Sequence, residues 1–216
     1  MPERVLTVCV GRPAGVPYRG KTVQTGIVKA PVDGRVPLRA LGFEGDGQAD
    51  LTVHGGAEKA AYLYSADAYA WWSGELGRPL RHGEFGDNLT VTGMADADVH
   101  VGDTLRLGDA LVQVTGPREP CFKLGLRMGD HRFPARFLAA DRVGFYVRVL
   151  EEGAVGAGDA VELVAADPAR LSIAEVHRLY ARGRQDADGL RHAAAVPALP
   201  EGWRSWAERR LAELGG

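Results

Sequence analysis

Short apolar runs, each closed by glycine, proline or acidic turn residues, fill most of the chain up to about residue 164. VLTVCV (Val5 to Val10), NLTVTG (Asn88 to Gly93), VGFYVRVL (Val143 to Leu150) and DAVELV (Asp159 to Val164) are rich in β-branched residues and predict strands. LRLGDALVQVT (Leu105 to Thr115) places two alternating runs around Gly108-Asp109, a dipeptide suited to a tight hairpin. Helical spacing is rarer here. Ser65 can cap ADAYAWWSGEL, putting Tyr69 and Trp72 on one face, and HRFPARFLAADR predicts a second helix starting near Pro134.

After Asp167-Pro168 the pattern changes to a helical period. LSIAEVHRLYARG opens on Ser172 and Glu175 at capping-box spacing and carries Ile173, Val176 and Tyr180 at helical intervals. DADGLRHAAAV predicts a second helix capped by Asp186. PEGWRSWAERRLAEL predicts a third, with Trp203, Trp206, Leu211 and Leu214 on one broad face. The fold class expected is therefore mostly β with α insertions: a β-barrel over residues 1–166, then a three-helix domain over 167–216. Three short helices cannot cover their apolar stripes alone, so they must dock on the barrel or on a second subunit, with a homodimer expected.

One stretch tests a rival class. GVPYRGKT (Gly15 to Thr22) fits the nucleotide-loop pattern G-x-x-x-x-G-K-[ST], which requires a helix immediately after it. The residues after Lys21 are TVQTGIVKAP, where β-branched residues alternate and Gly26 interrupts, so a strand is predicted and a nucleotide loop is disfavoured.

Composition narrows the picture further. With 216 residues and a formal net charge of −2, no broad basic field points to nucleic acid or an anionic membrane. No apolar run approaches the ~18 residues of a membrane span, and the N-terminus lacks signal-peptide architecture. Two distant cysteines, Cys9 and Cys121, without metal-ligand spacing suggest free thiols in a reducing cytoplasm.

Candidate chemistry sits in the unusual turns. GFEGDGQADLTVHGG (Gly42 to Gly56) holds three acids, five glycines and His54. Asp46 and Asp50 could meet a metal, although DGQAD also suits glycine-assisted turns. In GPREPC (Gly116 to Cys121), Pro117 and Pro120 stiffen the loop, and Arg118 beside Cys121 favours a thiolate. Cys9, inside a strand, reads as a small buried hydrophobe. His54 with Cys121 allows a thiol hydrolase, but no third orienting group is evident.

Together, GFEGDGQADLTVHGGAEKAAYLYS, FGDNLTVTG and VGDTLRLGDALVQVTGPREPCFK resemble the MOSC family, named for the C-terminal domain of molybdenum cofactor sulfurases. The likeness is greatest to small bacterial members with a helical C-terminal appendage, and it runs from about Lys21 to Val164. The resemblance implies a β-barrel holding the molybdenum–pyranopterin cofactor, with Cys121 in the place of the cysteine that gives its sulfur to molybdenum. A soft thiolate suits that metal.

By the same likeness, Arg118 is a candidate for an anionic group of the cofactor, and Asn88, Thr90 and Thr115 for its pterin or the adjoining turn. Lys21 and Thr22 are candidates for its phosphate, and His54 for a further contact. The implied activity is reduction of N-hydroxylated compounds such as hydroxylaminopurines, amidoximes and hydroxylamines. A separate reductase would supply electrons, since no flavin, haem or iron–sulfur motif is evident. The alternative is a non-catalytic cofactor carrier or sulfur-transfer protein using Cys121.

Overall fold

The structure is a computed structural model that describes residues 3–49 and 55–215. His54 and Asp50 lie outside the described residues. The order of elements is β1 (Val5–Val10), β2 (Ala14–Tyr18), β3 (Lys21–Thr25), β4 (Ala30–Val32), β5 (Arg35–Arg39), β6 (Gly42–Phe43), a 3₁₀ turn (Ala57–Lys59), β7 (Ala61–Ser65) and α1 (Ala66–Leu76). Next come β8 (Leu89–Val91), β9 (Thr104–Leu107), β10 (Ala110–Pro117), α2 (Phe122–Met128), α3 (Phe133–Ala139), β11 (Phe145–Glu151), β12 (Gly153–Gly156) and β13 (Val161–Ala165). The tail holds α4 (Ile173–Ala181), α5 (Ala187–Ala195) and α6 (Glu201–Gly215).

The main sheet has eight strands in the order β13-β9-β10-β11-β7-β8-β1-β4. A three-stranded sheet, β12-β5-β6, and the isolated hairpin β2-β3 complete the β structure. The expected barrel is thus not closed. Near the ends of the main sheet, β1 meets the segment leading into β13 through a bridge between Arg4 and Ala160. Backbone hydrogen bonds join them as well, from the Val5 N–H to the Asp159 carbonyl at 2.9 Å and from the Val161 N–H to the Glu3 carbonyl at 3.0 Å. No continuous ladder joins β13 to β4. β12 turns away to pair with β5, and the short edge strand β4 carries Pro31, which has no N–H to extend a ladder.

Local signals explain several elements. Gly108 adopts φ 55 between β9 and β10, which the hairpin turn needs and a β-branched residue resists. Ser65 accepts from the Asp67 N–H at 3.2 Å and starts α1. Ser172 and Glu175 close the capping box of α4 in both directions. In Lys21–Thr25 the β-branched run does form a strand, pairing with β2, so no helix comes after the GKT sequence. Helix α2 carries no pattern strong enough to predict it.

Two clusters fill the interior. One is aromatic and lies around α1 and α3, where Trp72, Tyr64, Phe85, Phe133 and Phe137 are buried. The other is aliphatic and continues without a break from Val5, Leu63 and Val112 in the sheet to Ile173, Leu190 and Ala207 in the tail. The tail therefore packs on the sheet within one chain. Trp203, Trp206 and Leu211 of α6 join this core, whereas Leu214, expected on the same face, is exposed. Among the described residues no helix is long and apolar enough to cross a membrane.

Candidate functional site

A cleft opens beside the turn that ends β10. Its walls come from the segment after β3 (Thr25, Gly26, Ile27, Lys29), from Gly47, Gln48, Ala49 and Gly55, and from Lys59 of the 3₁₀ turn. Tyr62 of β7, Gly86 and Asn88 before β8, and Tyr146 of β11 contribute next, and Arg118, Glu119, Cys121 and Lys123 complete it. Cys121 is a free, half-buried cysteine in this wall and directly precedes α2. Close approach of two wall segments requires glycine. A Cβ on Gly26 would lie 2.1 Å from the Gly47 carbonyl oxygen.

Arg118 is held from several sides. Its backbone N–H donates to the Gly144 carbonyl at 3.2 Å, and its Nη1 donates to the Phe85 carbonyl at 2.5 Å. The guanidinium also lies 4.9 Å from the ring centre of Tyr62 and 5.5 Å from that of Phe137. Burial opposes its charge, but Tyr62, Tyr146 and Cys121 outweigh that effect and its pKa moves upward. The reverse holds for the phenols: burial raises the pKa of both Tyr62 and Tyr146 against the pull of Arg118, which keeps them neutral. The Tyr62 hydroxyl donates to the Val143 carbonyl at 2.6 Å.

The acidic glycine-rich turn has a structural task. Asp46 forms a buried ion pair with Lys29 and accepts from the Gly11 N–H at 2.9 Å and from Asn88 Nδ2 at 2.8 Å. Burial lowers the Lys29 pKa, and Asp46 counters it. Asp46 is thus committed to protein partners rather than to a metal. Asn88 lines the cleft as expected from sequence, yet its amide is fully engaged. Its second donor contact is the Cys9 carbonyl at 3.2 Å, and its oxygen accepts from the Tyr62 N–H at 3.1 Å.

The other sequence candidates separate into distinct places. Thr90 is fully buried and donates to Asp87 at 2.8 Å, beside Tyr69, which donates to the same carboxylate at 2.6 Å. Thr115 is buried too and donates to the Glu58 carbonyl at 2.7 Å, which anchors the turn carrying Lys59. Lys21 and Thr22 are exposed on the β2-β3 hairpin and are not among the cleft-lining residues, because the strand carries them outward from the wall that begins at Thr25. Of the candidates, the structure brings Arg118, Asn88 and Cys121 together. Cys9 lies in the core, where burial first and Asp87 second push its thiol up to about 12.

Sequence reasoning missed Lys29, Lys59, Tyr62, Lys123 and Tyr146. One signal was present for Lys29: a single charge inside the apolar run GIVKAPV, where a cation must find a partner once buried. The two tyrosines offered no such signal.

The tail reaches the back of the same turn. A Cβ on Gly116 would meet Leu199 and the indole nitrogen of Trp203 at 3.7 Å. Arg148 donates to the Ala198 carbonyl at 2.6 Å and pairs with Glu58 at 3.1 Å.

Comparison with known proteins agrees with this layout. The family model of the MOSC domain matches residues 50–162, and that of the YiiM-like, 3-alpha helix domain matches residues 171–214. YflK of Bacillus subtilis is 39% identical over 201 residues, covering 93% of this chain and 91% of that protein. A protein of Gibberella moniliformis named as a reductase is 36% identical over 164 residues, covering 74% of this chain and 29% of that protein. The crystal structure of YiiM from Geobacillus stearothermophilus superposes with a TM-score of 0.83 at 32% identity, covering 97% of this chain and all of that one.

Proposed function

Because the chain belongs to the MOSC domain family and carries that family's YiiM-like three-helix domain, we propose that it is a molybdenum-cofactor-dependent reductase of N-hydroxylated compounds. The carrying observation is the donor set of the cleft. A thiol, Cys121, lines the same cleft as the cations Arg118, Lys59 and Lys123. A soft sulfur ligand suits molybdenum, and the cations suit an anionic pterin phosphate, so the residues fit the group. The Gibberella relative's reductase name supports the reaction class.

When bound, the cofactor would supply two-electron redox chemistry, with electrons from a separate reductase. A substrate R–NHOH would lose its N–O bond, gaining two electrons and two protons, to give R–NH₂ and water. The protein's own work is binding and placement. Cys121 would provide the sulfur ligand. Arg118, fixed by Phe85 and Gly144, holds a permanent positive charge at the base of the turn. Lys29 is paired with Asp46, so it adds little net charge and instead anchors the wall. Tyr146, kept neutral by burial, holds its proton at the cleft.

The test is Cys121→Ser, expressed in a host that makes the cofactor. Molybdenum content and reduction of N-hydroxylated substrates should both be lost while the melting temperature stays near that of the wild type. Full turnover in the variant would refute the proposal. Molybdenum in the wild type without any turnover would favour a carrier role instead.

A further inference from the structure

The strands of the β2-β3 hairpin pair only with each other, apart from the two larger sheets, and most of their side chains are exposed. The charge of this region is one-sided. From Arg4 to Val32 the sequence contains no Asp or Glu, while Arg12, Arg19 and Lys21 stand exposed in or just before the hairpin. Among the described residues none of these three forms an ion pair. A chain of net charge −2 thus carries an unneutralised basic projection. Its tip has a further peculiarity. Arg19 and Gly20 adopt φ 47 and φ 76, the left-handed pair that a two-residue hairpin turn requires. Asn, Asp or Gly meets that demand with less strain than Arg, so turn chemistry does not account for the cation.

The tip is anchored at the cleft. Tyr18 places its ring centre 6.0 Å from that of Phe122, and the Arg19 guanidinium lies 5.4 Å from the Tyr18 ring centre. Phe122 stands in the chain between Cys121 and Lys123, which both line the cleft, and it is 52% exposed. Cations and an uncovered aromatic ring therefore meet at the rim. Such a surface suits a protein, because the charges speed encounter with an acidic partner and the ring gives the apolar contact that seats it. We propose that the β2-β3 hairpin and Phe122 form the docking surface for an acidic, electron-donating protein. This inference rests on the reductase reading, which takes two electrons per turnover from a separate protein. The reduced donor gives up both electrons and solvent gives two protons, so R–NHOH becomes R–NH₂ and water while the donor is oxidised.

The experiment uses the molybdenum-loaded full chain and two reductants. One is a flavodoxin, an acidic flavoprotein, kept reduced by its own NADPH-dependent reductase. The other is dithionite-reduced methyl viologen, a small cation that needs no docking surface. The double variant Arg19→Glu, Lys21→Glu should raise KM for flavodoxin about tenfold, while viologen-driven turnover stays within about twofold of the wild type. Raising salt from about 50 mM to about 500 mM should weaken the wild type's use of flavodoxin by a similar factor and affect the variant less. Phe122→Ala should raise the same KM and leave the salt dependence as it is, since it removes apolar contact rather than charge. Molybdenum content and melting temperature should match the wild type in both variants.

Binding gives a readout independent of turnover. Oxidised flavodoxin should bind the wild type in low salt by calorimetry and lose about tenfold in affinity for the double variant. Equal binding to both, or an equal loss of turnover with both reductants, would overturn the docking surface. A wild type that turns over with viologen yet binds no flavodoxin also refutes the surface and leaves the reductase reading standing. If neither reductant drives turnover but flavodoxin binding still depends on Arg19 and Lys21, the surface stands and the reductase reading fails. Phosphatidylserine vesicles are the last probe: binding that the double variant loses, with flavodoxin unbound, would assign the hairpin to an anionic lipid surface and sink the proposal.

Discussion

Asp46→Asn is the sharpest test of how the cleft wall is held. The two side chains of the Lys29–Asp46 pair are 7% and 2% exposed, so the cation has no water to fall back on. The substitution keeps the shape and removes the charge. It also places an N–H₂ against the Gly11 N–H or Asn88 Nδ2, both of which now donate to that carboxylate. Removing one partner of a buried pair costs about 3–5 kcal/mol, and for a chain of this size each kcal/mol moves Tm by about 2–4 °C. The expected result is a fall in Tm of roughly 6–20 °C at pH 7.

The pH dependence is a second, independent sign. Burial lowers the folded pKa of Lys29 below the ordinary 10.5, and losing Asp46 lowers it further. Between the folded and unfolded values the unfolded chain binds more protons, so stability rises with pH. The variant's deficit should therefore shrink as pH is raised towards 10.5. Urea unfolding at about pH 7 and about pH 9.5, followed by fluorescence, measures both effects. An unchanged midpoint, or a deficit equal at the two pH values, would refute the buried-pair account.

Lys21→Ala should leave molybdenum content and melting temperature unaltered, since Lys21 is exposed on a hairpin outside the cleft; elemental analysis and calorimetry check this. A chain ended at Ala166 should be insoluble or molten by near-ultraviolet circular dichroism and light scattering, because the cut removes Leu171, Ile173, Val176, Leu179 and Leu190 from a core shared with the sheet, at about 1.5–3 kcal/mol each. A soluble, cooperatively unfolding truncation would show that the sheet closes its own core.

Much of the fold was legible because its signals are local. The β-branched runs became β1, β8, β11 and β13, the Gly108-Asp109 turn joined β9 to β10, and the Ser172–Glu175 box opened α4. The open sheet was not legible: whether β12 continues the main ladder or turns to β5 is decided by long-range pairing, for which Gly153–Gly156 carries no pattern. The cleft divided along the same line. Cys121 and Arg118 stand in one stiff, unusual turn and could be read directly. Lys59, Tyr62 and Tyr146 become neighbours only through the pairing of β7 with β11. Asn88, Thr90 and Thr115 were singled out as polar groups in suggestive places, and their hydroxyls and amide turned out to satisfy buried Asp87, the Glu58 carbonyl and Asp46.

The walls of the cleft are gathered from Thr25 through to Tyr146, and the first strand meets its neighbours late: β1 pairs with β8 some eighty residues on, and Arg4 reaches Ala160. Such distant pairings close slowly, because long loops must be ordered before any contact rewards them. A chain emerging from the ribosome therefore carries Cys121 long before there is a cleft around it. Whatever the cleft binds must enter a finished, ligand-free protein, and that protein has to stand on its core alone until loading occurs.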